Sequence, residues 1–322
     1  MTKKYYMAPL EGITTYLYRQ VYQEVFGGVE KYYTPFLVPH TKKDFDAREK
    51  KEILPEHNEG MQVVPQILTN QPEDFVRLAK CLKEFGYDEV NLNVGCPSGT
   101  VTAKGRGAGF LAYPDRIDSF LKIVFEELQD MKVSVKTRLG VEDTEEFEEL
   151  LDIYNRYPIY ELTIHARVLK DFYRNQVKLD TFDYACQHSK NPLVYNGDVF
   201  DKASAVQIEE KFPDIQAIML GRGLIANPFL PDILAGKQEM NREKIREFHD
   251  KLYEGYKQTQ SGDKNVMFRM KELWVYMGCL FTEFDQYSKR IFKCNKCYEY
   301  DTVINSLFRE QDISEDAHFI SG

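Results

Sequence analysis

The sequence has no run of about 18 apolar residues, so it offers no segment that could cross a membrane as a helix. Its N-terminus lacks the apolar stretch of a secretory signal and enters a strand-like run at Tyr5. Six cysteines are scattered along the chain, and only Cys294 and Cys297 lie at C-x-x-C spacing, without a second Cys or His pair to complete a zinc site. These absences predict a cytoplasmic protein with reduced thiols, no membrane segment and no metal site.

The chain has 322 residues and a formal net charge of -9, which taken alone disfavours a polyanionic partner. The charge is unevenly distributed, because residues 237–296 carry 13 Lys and Arg against 9 Asp and Glu. Nucleic-acid binding requires a local basic surface and not a basic protein, so this segment permits it. A helical surface of mixed charge is the commoner explanation of such a segment.

Strand-like and helical patterns alternate over the first two thirds of the chain. Eight strand-like runs are predicted at residues 5–8, 31–35, 62–67, 88–93, 132–137, 160–165, 192–196 and 215–220. Between them, residues 72–85 and the segment after Pro114 repeat apolar residues at helical spacing, and Thr144 suits an N-cap. The pattern predicts an α/β protein: a (β/α)8 TIM barrel over residues 1–230, followed by a smaller helical domain over residues 231–322.

The segment Asn91-Leu92-Asn93-Val94-Gly95-Cys96-Pro97-Ser98 is the most informative one in the chain. Cys96 lies between a glycine and a proline just past a predicted strand, where its thiol can face a cleft. An unpaired cysteine is more often a small buried hydrophobe. The neighbouring carboxamide of Asn93 and the bare backbone at Gly95 instead suit a site that holds a polar ligand closely, and favour a catalytic cysteine.

Polar residues and glycines follow the predicted strands at their C-terminal ends, which form the active-site face of a TIM barrel. They are Gln66, Asn93, Lys136, His165, Asn196, Gly197, Asp198, Gly221, Arg222 and Gly223. The glycines and Arg222 follow the last two strands, where backbone N–H groups and a guanidinium suit a phosphate. Lys136 offers a charge to the electron-rich edge of a flavin ring, and Gln66 and Asn93 offer amides. The inferred ligand is FMN.

Each of these residues has an ordinary structural explanation when it is taken alone. A lysine at a strand end is more often a solvated cap, His165 a structural histidine, and 221–223 a simple turn. The Gly-rich segment 105–109 superficially resembles a dinucleotide-binding loop, but it follows no strand directly, so that interpretation is rejected. Each residue alone is a weak indication, but all of them fall on one predicted face of the barrel. This convergence favours a ligand site there.

Together these residues closely resemble the tRNA-dihydrouridine synthase family of the bacterial type. The motifs that carry the resemblance are Met7-Ala8-Pro9-Leu10-Glu11-Gly12-Ile13-Thr14 with Arg19, Asn91 to Pro97, Lys136 to Gly140, Thr163 to Arg167, Asn196 to Val199, Gly221 to Gly223, and Phe268-Arg269-Met270-Lys271 with Tyr276. The resemblance extends over nearly the whole chain and adds Ala8 and Pro9 to the expected FMN site. Ala166 stands where the family usually has glycine.

The resemblance implies an FMN-dependent oxidoreductase that reduces uridines in tRNA to 5,6-dihydrouridine. NADPH would reduce FMN, hydride would pass from the flavin to C6 of the base, and Cys96 would protonate C5. The base must be turned out of the RNA, and the basic helical domain would hold the RNA body. A monomer is expected.

Two other functions remain open from the sequence. An FMN-dependent reductase of a free small molecule, like dihydroorotate dehydrogenase or old yellow enzyme, would use the same barrel but would need no basic helical domain. A catalytically idle RNA-binding module is the other alternative, and the presence of Cys96, Lys136 and His165 argues against it.

Overall fold

The computed structural model describes residues 3–237 and 240–314, and its centre is a ring of parallel strands. In chain order the strands are β1 (Lys4–Met7), β2 (Lys31–Tyr33), β3 (Val63–Val64), β4 (Gln66–Ile67), β5 (Glu89–Val94), β6 (Lys132–Arg138), β7 (Leu162–His165), β8 (Leu193–Asn196) and β9 (Ala217–Leu220). Neighbours follow the order β3-β2-β1-β9-β8-β7-β6-β5-β4. The ring is therefore nearly closed, with β3 and β4 at its two ends.

The third predicted strand is divided in the structure. β3 and β4 are its two halves, separated by Pro65, which has no N–H to donate to a strand ladder. The chain is continuous through this point, and a parallel bridge between Leu37 and Ile67 adds pairing beside β4. The interruption therefore leaves the eight-position barrel intact.

Helices cover the outside of the ring and continue after its last strand. They are α1 (Tyr16–Val25), α2 (Ala47–Ile53), α3 (Pro72–Glu84), α4 (Gly99–Thr102), α5 (Pro114–Glu127), α6 (Glu146–Tyr154), α7 (Leu179–His188), α8 (Lys202–Lys211), α9 (Arg222–Ala226), α10 (Leu230–Leu234), α11 (Arg242–Thr259), α12 (Asp263–Met277), α13 (Asp285–Lys293) and α14 (Cys297–Glu310). Short 3-10 turns lie at Pro55–His57, Gly107–Ala112, Leu169–Asp171 and Gly278–Leu280.

The predicted N-cap at Thr144 is wrong, because α6 begins later, after Glu145, and no side chain caps it. Glu146, the first residue of α6, accepts hydrogen bonds through its carboxylate from the backbone N–H groups of residues 141, 142 and 143, and so fixes the loop that leads into the helix.

β5 shows how the strands separate two environments. Val90, Leu92 and Val94 point outward and pack in the main hydrophobic core with the helices. The alternating residues Glu89, Asn91 and Asn93 point into the barrel, because side chains two residues apart share one face of a strand. Elsewhere the interior is filled by a small apolar cluster of Tyr6, Ala8, Tyr33, Val64, Val194, Ala217 and Met219. One side of the barrel interior is therefore polar.

The helices after β9 pack against the first helix of the barrel. Phe248 on α11 is fully buried, and its ring centroid lies 5.5 Å from that of Tyr18, 6.3 Å from that of Tyr22 and 5.2 Å from that of Phe26. Arg269 on α12 donates a hydrogen bond of 2.7 Å to the carbonyl of Gly12. In residues 3–237 and 240–314, every helix is too short or too polar to cross a membrane.

Candidate active site

A cleft of about 600 Å³ opens at the carboxyl ends of the strands. All thirteen residues selected from the sequence line it: Ala8, Pro9, Gln66, Asn93, Cys96, Lys136, His165, Asn196, Gly197, Asp198, Gly221, Arg222 and Gly223. They come from seven of the eight strand positions and from the loops that follow those strands. The parallel arrangement brings them together because every strand ends on the same face.

Two carboxamides form the floor of the cleft beside β4 and β5. The side-chain N–H of Asn93 donates to the amide oxygen of Gln66 at 2.6 Å. The amide oxygen of Asn93 accepts hydrogen bonds from the backbone N–H groups of Gly95 and Cys96, at 3.0 and 2.9 Å. Asn93 therefore fixes the start of the loop that carries the cysteine.

Two further contacts hold this loop from outside. Gly107 approaches so closely that a Cβ atom there would lie 2.7 Å from the carbonyl oxygen of Cys96, and its φ of +54° also favours glycine. The next N–H, that of Ala108, donates to the same oxygen at 3.0 Å. The Gly-rich segment thus supports the Cys96 loop, in agreement with the rejection of a dinucleotide-binding role.

Arg138 is a site residue to which the sequence analysis assigned no role. Its guanidinium is fully buried and donates to the carbonyls of Gly95 at 2.9 Å, Val168 at 3.0 Å and Phe172 at 2.9 Å. It therefore ties the Cys96 loop to the loop that follows β7. In the sequence, the indication of a role for Arg138 was its position within the motif from Lys136 to Gly140.

The thiol of Cys96 is half-buried in the cleft wall. Burial raises the pKa of this thiol, and a hydrogen bond from the backbone at Ser98 and the positive charges of Arg138 and Lys136 oppose the rise. The balance keeps the proton on the sulfur at neutral pH. A protonated thiol facing a cleft is suited to act as a general acid.

Lys136 places an amine in the cleft from β6, the strand next to the one that leads to the cysteine. Its Nζ donates to the amide oxygen of Asn196 at 2.9 Å, and Asn196 is itself held through its N–H on the carbonyl of Met219 at 2.8 Å. Burial, followed by the charge of Arg138, lowers the pKa of Lys136 to about 7. A ligand that presents negative charge would therefore restore the proton to this amine.

His165 is neutral and has a defined tautomer. Burial, with the positive charges of Arg138, Lys136, Arg167 and Arg222, lowers its pKa well below the usual value. Nη1 of Arg167 lies 3.2 Å from Nε2 of His165, and a guanidinium can only donate. Nε2 therefore accepts, and the ring hydrogen is on Nδ1, where it can be donated to a ligand.

The end of the cleft after β8 and β9 combines glycines with a paired arginine. Asp198 accepts from Arg222 at 2.9 Å and also from Arg167. A Cβ atom at Gly223 would lie 2.1 Å from the carbonyl oxygen of Val199, so only glycine fits this approach. Part of the Arg222 guanidinium donates to Asp198, and its remaining N–H groups can be donated to an anion.

Four side chains at the mouth of the cleft were not predicted as site residues. Phe172 and Tyr173 lie on the loop after β7 and are about half exposed, and Tyr173 lies under the guanidinium of Arg222 at 5.1 Å. Val275 and Tyr276 reach the cleft from α12. The helices after the barrel thus supply part of the cleft wall. Phe172 also adopts a φ of +48°.

The described ranges contain one group with metal-ligand spacing, formed by His40, Asp46 and Glu49. Asp46 caps α2 and Glu49 reaches back to the N–H of Asp46, which is a reciprocal capping box. Glu49 also pairs with His40 at 2.7 Å. These contacts explain why the three side chains lie together: they stabilise the start of α2.

Solved structures with a similar fold include an old yellow enzyme and a morphinone reductase. The old yellow enzyme from Trypanosoma cruzi superposes with a TM-score of 0.54 at 12% identity, covering 79% of this chain and 93% of that one. Morphinone reductase gives a TM-score of 0.52 at 14% identity over 76% and 88% of the two chains. These similarities confirm the predicted TIM barrel. A ring of parallel strands with a polar cleft at their carboxyl ends therefore defines the chain as a TIM-barrel protein.

The sequence comparison is more specific. Residues 6–310 match the family described as dihydrouridine synthase (Dus), and the chain belongs to this family. It is 27% identical to tRNA-dihydrouridine synthase B of Pasteurella multocida over 234 residues, which are 71% of this chain and 68% of that protein. It is 25% identical to a probable tRNA-dihydrouridine synthase of Staphylococcus epidermidis over 84% and 83% of the two chains. The predicted family and enzyme class are confirmed.

Proposed function

We propose that the protein reduces uridines of tRNA to 5,6-dihydrouridine with FMN as cofactor and NADPH as electron donor. The observation that carries the proposal is the convergence of a protonated cysteine, a lysine, a neutral histidine and two amides in one cleft of a chain that belongs to the dihydrouridine synthase family. We also propose that the protein is a monomer and that it acts in the cytoplasm.

The cleft suits FMN in size and in chemistry. Its volume of about 600 Å³ lies within the range of roughly 300–1,000 Å³ common for such ligands. The donors differ around the ring of strands: Gln66, Asn93, Lys136 and His165 lie on β4 to β7, whereas the glycines at 221–223 and Arg222 follow β9. Amides, an amine and an imidazole suit a flat polar ring, and glycines with an arginine suit a phosphate.

When it is bound and reduced by NADPH, FMN supplies the hydride that goes to C6 of uracil. The chain's own residues supply the remaining steps. Cys96 gives its proton to C5, and the raised pKa keeps that proton available. Lys136 would hold positive charge beside the electron-rich edge of the ring, and His165 would donate from Nδ1. The loop contacts of Arg138 and Asn93 hold the thiol in place.

The cleft is the place for a base turned out of its RNA, and the helices beside it are the proposed RNA-binding surface. We assign residues 1–230 to the catalytic barrel and 231–322 to the helical RNA-binding domain; residues 315–322 of the latter lie outside the described part. Lys271, Lys289 and Arg290 of α12 and α13 have no carboxylate within ion-pair distance in the described ranges, so they are available to phosphates.

The direct test combines flavin analysis with an assay on RNA. The purified protein should be yellow or should take up FMN, and with NADPH it should form dihydrouridine in unmodified tRNA, as measured by nucleoside mass spectrometry. Comparing tRNA from cells with and without the protein would identify the modified position. A protein that neither carries nor binds FMN would contradict the proposal.

Reversing the charge at Lys271, Lys289 and Arg290 should weaken tRNA binding and lower its salt dependence, because each lost phosphate contact removes about 0.7–0.9 from the slope of log affinity against log salt. The matched control reverses Lys122, Lys190 and Lys211, which are exposed on α5, on the loop after α7 and at the end of α8. Equal binding by both triple variants at low and moderate salt would place the RNA elsewhere, with the loop at Lys104 and Arg106 as the next candidate.

A reductase of a free small molecule remains the alternative function. The two are separated by giving the enzyme tRNA, uridine and simple activated alkenes in parallel with NADPH. Turnover of tRNA alone supports the proposed function, whereas turnover of the small molecules alone supports the alternative.

A further inference from the structure

A continuous line of hydrogen bonds crosses the barrel interior from the N-terminal ends of the strands to the Cys96 loop. Three of its members are the inward residues of β5: Glu89, Asn91 and Asn93. Gln66 on β4 and Ser134 on β6 complete it. Four residues of strand separate its two ends along β5, which is roughly 13 Å.

The lower end of this line is a buried ion pair. Lys31 lies 2.9 Å from Glu89 and 2.7 Å from Glu161. Burial alone would lower the pKa of Lys31, but the two carboxylates raise it above its usual value. Burial raises the pKa of Glu89, and Lys31 and the Ser134 hydroxyl oppose this by stabilising the carboxylate. An ionised carboxylate can only accept hydrogen bonds.

That end determines the direction of every bond above it. The hydroxyl of Ser134 has two acceptors in reach, Glu89 at 2.8 Å and the carbonyl of Val90 at 3.4 Å, and Glu89 is the nearer. Either one takes its single hydrogen, so the oxygen of Ser134 accepts from the amide N–H of Asn91 at 3.0 Å. The oxygen of Asn91 then accepts from Gln66 at 2.8 Å, and the oxygen of Gln66 accepts from Asn93 at 2.6 Å. Each amide is left with one possible orientation.

The upper end imposes the same direction independently. The oxygen of Asn93 faces the backbone N–H groups of Gly95 and Cys96, which can only donate. Turning over any amide in the line would bring two donors together, and a buried donor without an acceptor costs free energy. The second N–H of Gln66 and of Asn93 has no hydrogen-bond partner within residues 3–237 and 240–314, and both side chains line the cleft.

We propose that the Lys31–Glu89 pair is a positioning anchor, which acts through Ser134 and Asn91 to hold Gln66 and Asn93 with their remaining N–H groups toward the cleft. This part of the cleft therefore accepts a ring edge that presents carbonyl oxygens or unprotonated nitrogens and disfavours an edge that presents N–H groups. The assignment of that ring to a flavin or a uracil rests on the proposed function.

The test compares two variants. One removes a hydroxyl that belongs to the line of hydrogen bonds, and the other removes a buried hydroxyl that does not. Ser134→Ala breaks the line and leaves the ion pair intact. Thr163→Val is the matched control, because the Thr163 hydroxyl is also fully buried in the barrel but has no hydrogen-bond partner in the described residues. Ser134→Thr restores a hydroxyl at the original position.

We expect Ser134→Ala to weaken FMN binding about three- to tenfold, the range of one net hydrogen bond. It should also change the visible absorption spectrum of the bound flavin at saturation, which a loss of stability alone would not do. Thr163→Val should leave both unchanged, and Ser134→Thr should recover the spectrum. Equal affinity and identical spectra for Ser134→Ala and Thr163→Val would overturn the proposal.

A second measurement needs no cofactor. In the ¹⁵N-labelled ligand-free protein, the side-chain amides of Gln66 and Asn93 should exchange hydrogen with solvent faster in Ser134→Ala than in the parent or in Thr163→Val. Unchanged exchange rejects the anchor even if FMN does not bind, whereas failure of the parent protein to bind FMN rejects the proposed function alone.

Discussion

Raising the pH above neutrality should weaken FMN binding, because Lys136 loses its proton in the empty cleft. Burial and the charge of Arg138 lower its pKa to about 7, whereas an unperturbed lysine titrates near about 10.4. A ligand that places an electron-rich edge beside the amine restores the ordinary pKa. Binding then takes up a proton between about pH 7 and about pH 10, and affinity falls by at most about tenfold per pH unit. Below pH 7 Lys136 is charged in both the free and the FMN-bound protein, so it makes no contribution to the pH dependence of the affinity.

Quenching of flavin fluorescence from pH 6 to pH 9 measures this effect. The upper limit is an approximately 50-fold loss of affinity between pH 7 and pH 9. Riboflavin titrated in parallel removes the contribution of the phosphate, and Lys136→Met should abolish the slope with both ligands. Parallel pH dependence in the parent and in Lys136→Met would refute the assignment to Lys136.

Three other changes follow from the geometry. Cys96→Ala should spare FMN binding and flavin reduction by NADPH but slow dihydrouridine formation about 10²- to 10⁴-fold in single-turnover assays, with the exposed Cys186→Ala as control; equal loss of both half-reactions would make Cys96 structural. Gly107→Ala should lower uridine reduction by displacing the Cys96 loop, whereas Gly86→Ala, with positive φ but open space, should leave it unchanged; equal rates would contradict the contact. Phe248→Ala should cost about 3–5 kcal/mol in urea unfolding, and a cost below about 1 kcal/mol would show that the helices are not anchored on α1.

The sequence predicted the barrel because each strand carries its own local pattern. All eight predicted strand positions are present. Pro65 divides the third strand and interrupts its hydrogen-bond ladder, but the chain keeps its place in the sheet. The cleft residues were found because position at a strand end is also a local property. Arg138 was missed because its burial depends on carbonyls at residues 168 and 172, which lie far along the chain.

The polar inner face of β5 was also missed, since residues 88–93 were predicted only as a strand, without an inner and an outer face. Glu89 and Asn91 are tolerated inside the barrel only because Lys31 and Ser134, on other strands, satisfy them. Such pairing depends on which strands become neighbours. A pattern within one segment contains no information about it.

The position of α12 in the chain has a consequence for synthesis on the ribosome. All nine strands, ending at Leu220, are made before Val275 and Tyr276, which complete the cleft wall. The aromatic face of α1 is synthesised early, but it is covered only after Phe248 of α11 has been added to the chain. A growing chain can therefore form its ring of strands early, but the wall of the cleft is complete only after α12 has been made. Chains that stop before α11 should accordingly expose the aromatic face of α1 and aggregate more readily than the full-length chain.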